Sequence, residues 1–313
     1  MRAIMATRFG DPSVLELVDL PTPEPAAGEF RVNVAVAGVG WLDTALRTGH
    51  GPAVFPVRPP YVPGGGVAGT VDAVGPGVDV GWLGARVVTR AAGGGYADTA
   101  IARPEQSYLV PPGLDLRDAV ALLDDGSTAL ALLERTPVHR GDRVLIAPGV
   151  GGLGNLLVQL VLAEGATAIA GVRGPEKAAI AKELGAEVLD YSVPDWASAV
   201  PALDVVFEGI GGTVGAAAAG LLREGGRFSG YGMTSGAETA LDESDRRRLT
   251  VVDMAQLPEF WPETPRRVRR VLDLAAAGRL RPVIGRTYPL AQAAAAHADI
   301  EARRFLGKSL LLV

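Results

Sequence analysis

The stretch Gly141-Asp142-Arg143-Val144-Leu145-Ile146-Ala147-Pro148-Gly149-Val150-Gly151-Gly152-Leu153-Gly154-Asn155-Leu156-Leu157-Val158-Gln159-Leu160 decides the fold. An apolar run, Val144 to Ala147, enters a glycine turn that opens onto a second apolar stretch at helical spacing. Gly149, Gly151 and Gly154 satisfy G-x-G-x-x-G in its required setting, strand before and helix after. In such a turn the first glycine permits a tight bend, the second lets a pyrophosphate approach the backbone, and the third lets helix and strand pack closely. The free N–H groups and the dipole of the helix then hold phosphate. The competing reading is a plain glycine-rich turn in a chain with 41 glycines.

Outward from this turn, strands and helices alternate. Thr167 to Val172 reads as a strand and Pro175 to Leu184 as a helix. Glu187 to Asp190 and Val205 to Glu208 read as strands, Thr213 to Leu222 as a helix and Arg227 to Tyr231 as a strand. This alternation implies right-handed crossovers and a parallel sheet, with ligands at the carboxyl ends of its strands. Thr250 to Met254 is expected as a further strand, Pro258 to Pro265 as a loop, and Arg266 to Ala277 as a helix ended by Gly278. Upstream, Leu116 to Glu134 reads as one apolar helix closed by Pro137. The first hundred residues are β-rich. Val14 to Leu20, Phe30 to Val39 and Val67 to Val74 alternate, with Gly and Pro punctuation between them, as in a compact barrel-like domain. The tail (Pro282 to Tyr288, Leu290 to Ile300, Lys308 to Val313) reads as strand, helix, strand outside the βα repeat.

At 313 residues two domains are the default. A net charge of −5 gives no sign of a nucleic-acid or anionic-membrane surface. There is no cysteine, so disulfides and thiolate metal sites are excluded, and the three histidines (His50, His139, His297) lie far apart. No metal site is expected. No signal-type apolar core or membrane-length run is seen, and the protein is read as cytoplasmic.

Arg173 ends the second strand, 19 residues beyond Gly154. An NAD site expects an acid about 20 residues on, to accept from the ribose 2′-hydroxyl. The cation here, with Lys177 a helical turn later, pairs with a 2′-phosphate and so favours NADPH. The competing reading is a solvated basic surface. Tyr191, after the next strand, is placed to close the same pocket or simply to pack.

These residues resemble the zinc-independent, zeta-crystallin-like quinone oxidoreductases of the medium-chain dehydrogenase/reductase superfamily. The match runs from Glu16-Leu17-Val18-Asp19-Leu20-Pro21 through Ala37-Gly38-Val39 with Asp43, Pro63-Gly64-Gly65, Val67-Ala68-Gly69-Thr70-Val71 and Gly75-Pro76-Gly77-Val78. It continues through the glycine turn to Gln159, Pro175-Glu176-Lys177, Leu184-Gly185-Ala186, Gly211-Gly212, Gly225-Gly226-Arg227 and Gly307-Lys308. The resemblance implies an α/β fold in which a Rossmann doubly wound parallel sheet (124–262) is joined to a GroES-like β-rich domain (1–123 and 263–313). It implies a homodimer with NADPH and a small-molecule substrate, a quinone or conjugated carbonyl, in a cleft between the domains. It also implies that Gly151-Gly152-Leu153, in the cofactor-binding turn bounded by Gly149 and Gly154, line the pyrophosphate, and that Lys177 and Tyr191, beside Arg173, meet the 2′-phosphate. By the same resemblance Thr128, Ile210-Gly211 and Tyr231-Gly232 would face the nicotinamide, and Lys308 would lie near the cofactor. Two positions depart from the family pattern: Gly40 stands where Asn is usual and Gly66 where a carboxylate is usual.

Hydride transfer asks the protein for alignment and dryness, and negative charge developing on an acceptor oxygen asks for a donor. His50 on a loop, Tyr61, and the paired acids Asp124 and Asp125 before Thr128 are the candidates. Each has a plainer reading, a surface histidine, packing, or helix caps. Tyr96 is read as structural, Trp41 and Phe55 as an apolar wall or as core, and the runs Arg246 to Arg248 and Arg266 to Arg270 as solvated faces. The function that follows is NADPH-dependent reduction of a quinone or enone without zinc. A silent NADPH-binding protein or a non-redox cyclase or lyase on the same scaffold are the alternatives.

Overall fold

A computed structural model describes residues 1–198, 200–252, 261–304 and 306–313. The chain divides into two units, Met1–Asp124 with Val268–Val313, and Asp125–Arg267. The second division falls inside one continuous helix, Thr264–Ala276, instead of in the loop expected near residue 263.

The first unit is β-rich. Strands β1 (Arg2–Ala6) and β2 (Leu15–Asp19) pair antiparallel. Strands β3 (Phe30–Val39), β4 (Gly66–Val74), β5 (Arg86–Arg90), β6 (Thr99–Ala102) and β7 (Ser107–Leu109) follow. The chain's tail joins them: the main sheet runs β14 (Ile284–Pro289), β15 (Lys308–Leu312), β3, β4, β5, β7, with β6 also on β3. Strand β3 alternates inward and outward, and its buried positions Val32, Val34 and Val36 feed the core. A short helix, α1 (Trp41–Thr48), was not legible as a helix in the sequence. It lies between Gly40 and a left-handed cap, Gly49. The run 116–134 is divided at Asp124 into α2 (Leu116–Leu123) and α3 (Asp125–Arg135), where two acids and Gly126 interrupt the good helix formers. In the tail, a single turn at Leu290–Gln292 precedes α9 (Ala293–Glu301).

Among the described residues, the second unit holds six parallel strands. They are β8 (Arg143–Ala147), β9 (Thr167–Val172), β10 (Glu187–Asp190), β11 (Leu203–Glu208), β12 (Leu222–Gly230) and β13 (Thr250–Val252), in the order β10-β9-β8-β11-β12-β13. That order is the doubly wound Rossmann sheet, with its switch point between β8 and β11. Leu145, Ile146, Val205, Val206 and Phe207 are buried, which is why these strands read as continuous apolar runs. The connecting helices are α4 (Gly154–Ala163), α5 (Pro175–Glu183), α6 (Gly212–Gly220) and α7 (Glu243–Arg248). Leu222 belongs to β12 and not to the helix before it. Helix α8 (Thr264–Ala276) begins before Pro265, because proline is tolerated in a first turn. The strand expected to continue through residues 253–254 and the loop at 258–260 lie outside the described residues.

The arginine runs are not wholly solvated. Arg248 donates to the carbonyls of Ala219 and Leu222, and Arg267 is 5% exposed and paired with Glu134 at 2.7 Å. Among the described residues no helix is long and apolar enough to cross a membrane.

Candidate functional site

The glycine turn at the carboxyl end of β8 is shaped by clearance. A β-carbon on Gly149 would lie 2.5 Å from Ala170 Cβ, and one on Gly154 would lie 1.9 Å from the Pro148 carbonyl oxygen. Neither glycine has a positive φ, so Gly149 is required by its approach to β9 and not by a bend that other residues cannot make. Gly151 differs: the nearest atom to its β-carbon is Pro148 Cγ at 3.8 Å. A side chain there would occupy open space, the space a pyrophosphate needs. The residue that fixes the turn is Asn155, fully buried on the first turn of α4. Its amide donates to the carbonyls of Gly151 (2.7 Å) and Gly152 (2.6 Å). Turning those carbonyls toward the helix leaves the other side of the turn to its N–H groups, which suit an anion. A lone Asn in an apolar helix was the available signal.

At the ends of β9 and β10, the Tyr191 N–H donates to the Val172 carbonyl at 3.1 Å, which sets Tyr191 next to Arg173 in the sheet. Arg173 is exposed and Lys177 is half-buried on the first turn of α5. Gly174 between them has φ +81° and no neighbour near its β-carbon position. The acid that bonds these loops to one another is Asp190. Its oxygens accept from Ser192 Oγ (2.5 Å), Ser192 N–H (2.8 Å) and Gly174 N–H (3.3 Å). The Ser192 hydroxyl and N–H hold this carboxyl below its ordinary range, helped by Gly174 and Arg173. Its role is to pin the loops together.

The ends of β11 and β12 are stapled to one another. Tyr231 N–H donates to the Glu208 carbonyl (2.8 Å), Thr234 N–H to that of Gly209 (3.1 Å) and Ser235 N–H to that of Ile210 (2.7 Å). A β-carbon on Gly209 would lie 2.4 Å from the Tyr231 ring, and one on Gly211 1.9 Å from the Ala237 carbonyl. A β-carbon on Gly232 would lie 2.9 Å from the Gly209 carbonyl oxygen. The Glu208 carboxylate is buried and takes three donors: Ile210 N–H (2.7 Å), Gly211 N–H (2.9 Å) and the Thr239 hydroxyl (2.8 Å). Burial pushes this carboxyl up, against those hydrogen bonds. Glu208 was missed because it reads as the polar end of a strand. Ile210 is 3% exposed in the core, so it presents main chain and not side chain at the strand end. The Tyr231 hydroxyl is buried without a protein partner among the described residues, and burial raises its pKa. The open turn at Gly151, the cations at 173 and 177 and this orphaned hydroxyl all fit a dinucleotide. Thr128 lies on the first turn of α3, one residue after buried Ser127 and three after Asp125.

The first unit disperses the donor candidates. His50 is exposed beyond Gly49, its Nδ1 3.3 Å from Thr48 Oγ1. Trp41 and Phe55 are exposed, not core. The Tyr61 hydroxyl is buried without a protein partner among the described residues, and its pKa is pushed up to about 12 by burial and by Asp43. Asp124 is half-exposed and paired with Arg90 at 2.6 Å. A cluster the sequence did not single out surrounds Asp43, the third residue of α1, whose carboxylate accepts from Gly40 N–H at 2.8 Å. Tyr96, fully buried, interacts with Asp43, and its hydroxyl lies 3.2 Å from His297 Nε2. His297 is pushed down to about 3 by burial and then by Arg47, so it is neutral. Tyr96 therefore joins a buried polar chain as well as filling space. Among the described residues no three potential metal ligands converge.

Comparison with known proteins adds to this geometry. Residues 26–115 match the alcohol dehydrogenase GroES-like domain, and residues 184–311 match the family described as zinc-binding dehydrogenase. The chain is 32% identical to a 2-haloacrylate reductase of Burkholderia sp over its whole length and 98% of that protein. It is 31% identical to the quinone oxidoreductase of Sus scrofa, again over 100% of this chain and 98% of the other. Among solved structures, a mycobacterial protein complexed with NADPH is 34% identical with a TM-score of 0.90, covering 100% of both chains. Escherichia coli quinone oxidoreductase complexed with NADPH is 26% identical with a TM-score of 0.91, also over 100% of both. A nucleotide turn on a doubly wound sheet, a β-rich unit closed by the chain's tail, and full-length kinship at this level place the chain in the quinone oxidoreductase family of the medium-chain dehydrogenase/reductase superfamily.

Proposed function

We propose that the protein is an NADPH-dependent reductase of quinones or α,β-unsaturated carbonyl compounds that works without zinc. The observation that carries this is the open turn at Gly151 with Arg173, Lys177 and Tyr191 grouped at the neighbouring strand ends. Full-length relatives named as a 2-haloacrylate reductase and as quinone oxidoreductases support the acceptor class, since each acceptor is a conjugated electron-poor system. The zinc reading is supported by the absence of cysteine and the separation of the three histidines, although one matching family is described as zinc-binding.

Bound NADPH supplies a hydride. The unit Asp125–Arg267 holds the cofactor. Gly151, Gly152 and Leu153 meet the pyrophosphate at the start of α4. Arg173 and Lys177 pair with the 2′-phosphate, and Tyr191 walls it. The loops at Ile210-Gly211 and Tyr231-Gly232, fixed by Glu208, and Thr128 orient the nicotinamide. In the other unit, Asp124 and Lys308 have fixed neighbours, whereas His50 is exposed. The same reading makes the protein a cytoplasmic homodimer, which light scattering of the purified protein checks for mass.

The deciding experiment follows NADPH absorbance with a panel of quinones, enones and 2-haloacrylate. Loss of absorbance that depends on acceptor is expected. Tight NADPH binding with no turnover of any acceptor overturns the proposal and favours a silent binder. Product formed with no net NADPH change favours a cyclase or lyase.

A further inference from the structure

The strand ends that carry Arg173 and Lys177 carry a carboxylate as well. Strand β10 pairs with β9 in parallel, Asp190 opposite Val172, so Asp190 stands beside Arg173 at the carboxyl end of the sheet. Its side chain bridges two loops. One oxygen accepts from Gly174 N–H at 3.3 Å, and the other from Ser192 N–H at 2.8 Å and Ser192 Oγ at 2.5 Å. Gly174 is the residue before α5. The carboxylate therefore sits at the entry to that helix, a place that favours negative charge.

The neighbouring charges are placed differently. Arg173 is exposed, and Lys177 is half-buried in the first turn of α5. Glu176, in the same turn, is exposed. Glu187, at the other end of β10, is bonded to Arg143 at 3.2 Å. The Ser192 hydroxyl and N–H, then Gly174 N–H, favour the charged form of Asp190, and Arg173 adds the weakest of these attractions. Asp190 is thus an anion held chiefly by hydrogen bonds, with an exposed cation beside it.

We propose that Asp190 is a specificity-determining residue of the cofactor site, a fixed negative charge that opposes the 2′-phosphate of NADPH and so narrows the preference for NADPH over NADH. The proposal rests on the reading above that Arg173 and Lys177 meet that phosphate. In a doubly wound sheet the adenosine ribose comes to the end of the second strand, where an acid accepts from the 2′-hydroxyl of NADH and an arginine accommodates the 2′-phosphate of NADPH. This chain has the cation at that end, Arg173, and an acid one strand further on, Asp190. A phosphate monoester carries a charge of about −1.5 to −2 at neutral pH. It is drawn by Arg173 and Lys177 and repelled by Asp190. The main-chain donor at the entry to α5, Gly174 N–H, is already given to the carboxylate, so a phosphate has to displace Asp190 or do without that donor. Two bonds to Ser192 tie the carboxylate in place. A ribose hydroxyl, being neutral, is not repelled. The cations therefore decide which cofactor is preferred, and the carboxylate decides by how much.

The test measures the Kd of the full-length protein for NADPH and for NADH by cofactor fluorescence. Asp190→Asn keeps the shape of the side chain and removes its charge. It should tighten NADPH about fivefold, the scale of a charge interaction near the surface, and leave NADH within about twofold. The ratio of the two Kd values should rise accordingly at low salt and return toward that of wild type at about 0.5 M salt. Ser192→Ala removes one hydrogen bond and keeps the charge, so its ratio should stay within about twofold of wild type. A ratio that is unchanged or falls in Asp190→Asn overturns the proposal. Equal weakening of both cofactors with a lower Tm makes Asp190 no more than a pin between loops and also overturns it. A rise as large in Ser192→Ala assigns the effect to the loop and not to the charge. The double variant Arg173→Asp with Lys177→Ala separates the two levels. If it weakens NADPH and NADH equally, the phosphate does not come here and the reading beneath the proposal has failed. If it discriminates against NADPH while Asp190→Asn leaves the ratio unmoved, only the role of Asp190 is lost.

Discussion

The glycine turn of the second unit and the charged niche of the first, where Gly38, Gly40 and Gly66 border Lys308, Asp43 and Asp124, are both cleared by glycines, but they are assembled differently. The turn is contiguous: Gly149 to Asn155 supplies both the clearance and the amide that sets its carbonyls. The niche draws on residues 38, 40, 43, 66, 90, 124 and 308, which strand pairing and the helices α1 and α2 bring together. Backbone recognises the phosphates common to all dinucleotides and tolerates little change. Side chains at strand ends can be exchanged, and Gly40 and Gly66, which depart from the family pattern, lie at the ends of β3 and β4. The difference teaches that a contiguous turn resists change where a site gathered from distant residues does not.

The largest expected effect belongs to a side chain that acts like backbone. Glu208→Ala removes the acceptor of two N–H groups and a hydroxyl in a buried site and should cost about 3–5 kcal/mol. Differential scanning calorimetry should show a fall in Tm of roughly 8 °C or more. A smaller change would mean that the strand-end loops hold themselves, and that the second unit is built from contiguous backbone alone.

Next is the charge pair that separates the two cofactors. Arg173→Asp with Lys177→Ala should weaken NADPH about 100-fold, roughly 2.7 kcal/mol, and leave NADH within about threefold. Titration of both cofactors checks it. Equal weakening would remove the 2′-phosphate from this place and return both residues to a solvated surface.

The turn's own glycines should then part company. Gly154→Ala forces a methyl against the Pro148 carbonyl and should cost about 1–3 kcal/mol of stability. Gly151→Ala enters open space, so it should leave Tm nearly unchanged while weakening NADPH about tenfold, or 1.4 kcal/mol. If both lower Tm equally, the turn is uniformly packed and the cradle at Gly151 is not one.

What was legible in the sequence follows the same division. The sheet and its turn could be read because β8, β9 and β11 are apolar on both faces and their turn residues are consecutive. Helix α1 could not, since Trp41 to Thr48 lies among strands and buries only part of one face against its unit. The apolar run 116–134 concealed a break at Asp124, because periodicity continues through residues whose backbone does not. Lys308 was placed near the cofactor by resemblance, but its meeting with Asp43 depends on the register of β15 against β3, which no local pattern encodes. Asp124 was noticed as one of two adjacent acids, although its partner Arg90 comes from a strand 34 residues earlier.

The smallest effect tests the niche by its pH dependence. Asp43 binds its proton more tightly folded, at about 6, than the ordinary value of 3.8. A raised carboxyl contributes stability that is full below about pH 3.8 and is lost as pH rises through about 6. Asp43 keeps some accessible surface, so solvent screening holds the effect to about 1 kcal/mol. Asp43→Asn lacks this titration, and its Tm relative to wild type should therefore rise between pH 4 and pH 7. A relative Tm that falls instead would mean that attraction to Lys308 outweighs burial. Lys308 and Asp43 would then act as a closed ion pair.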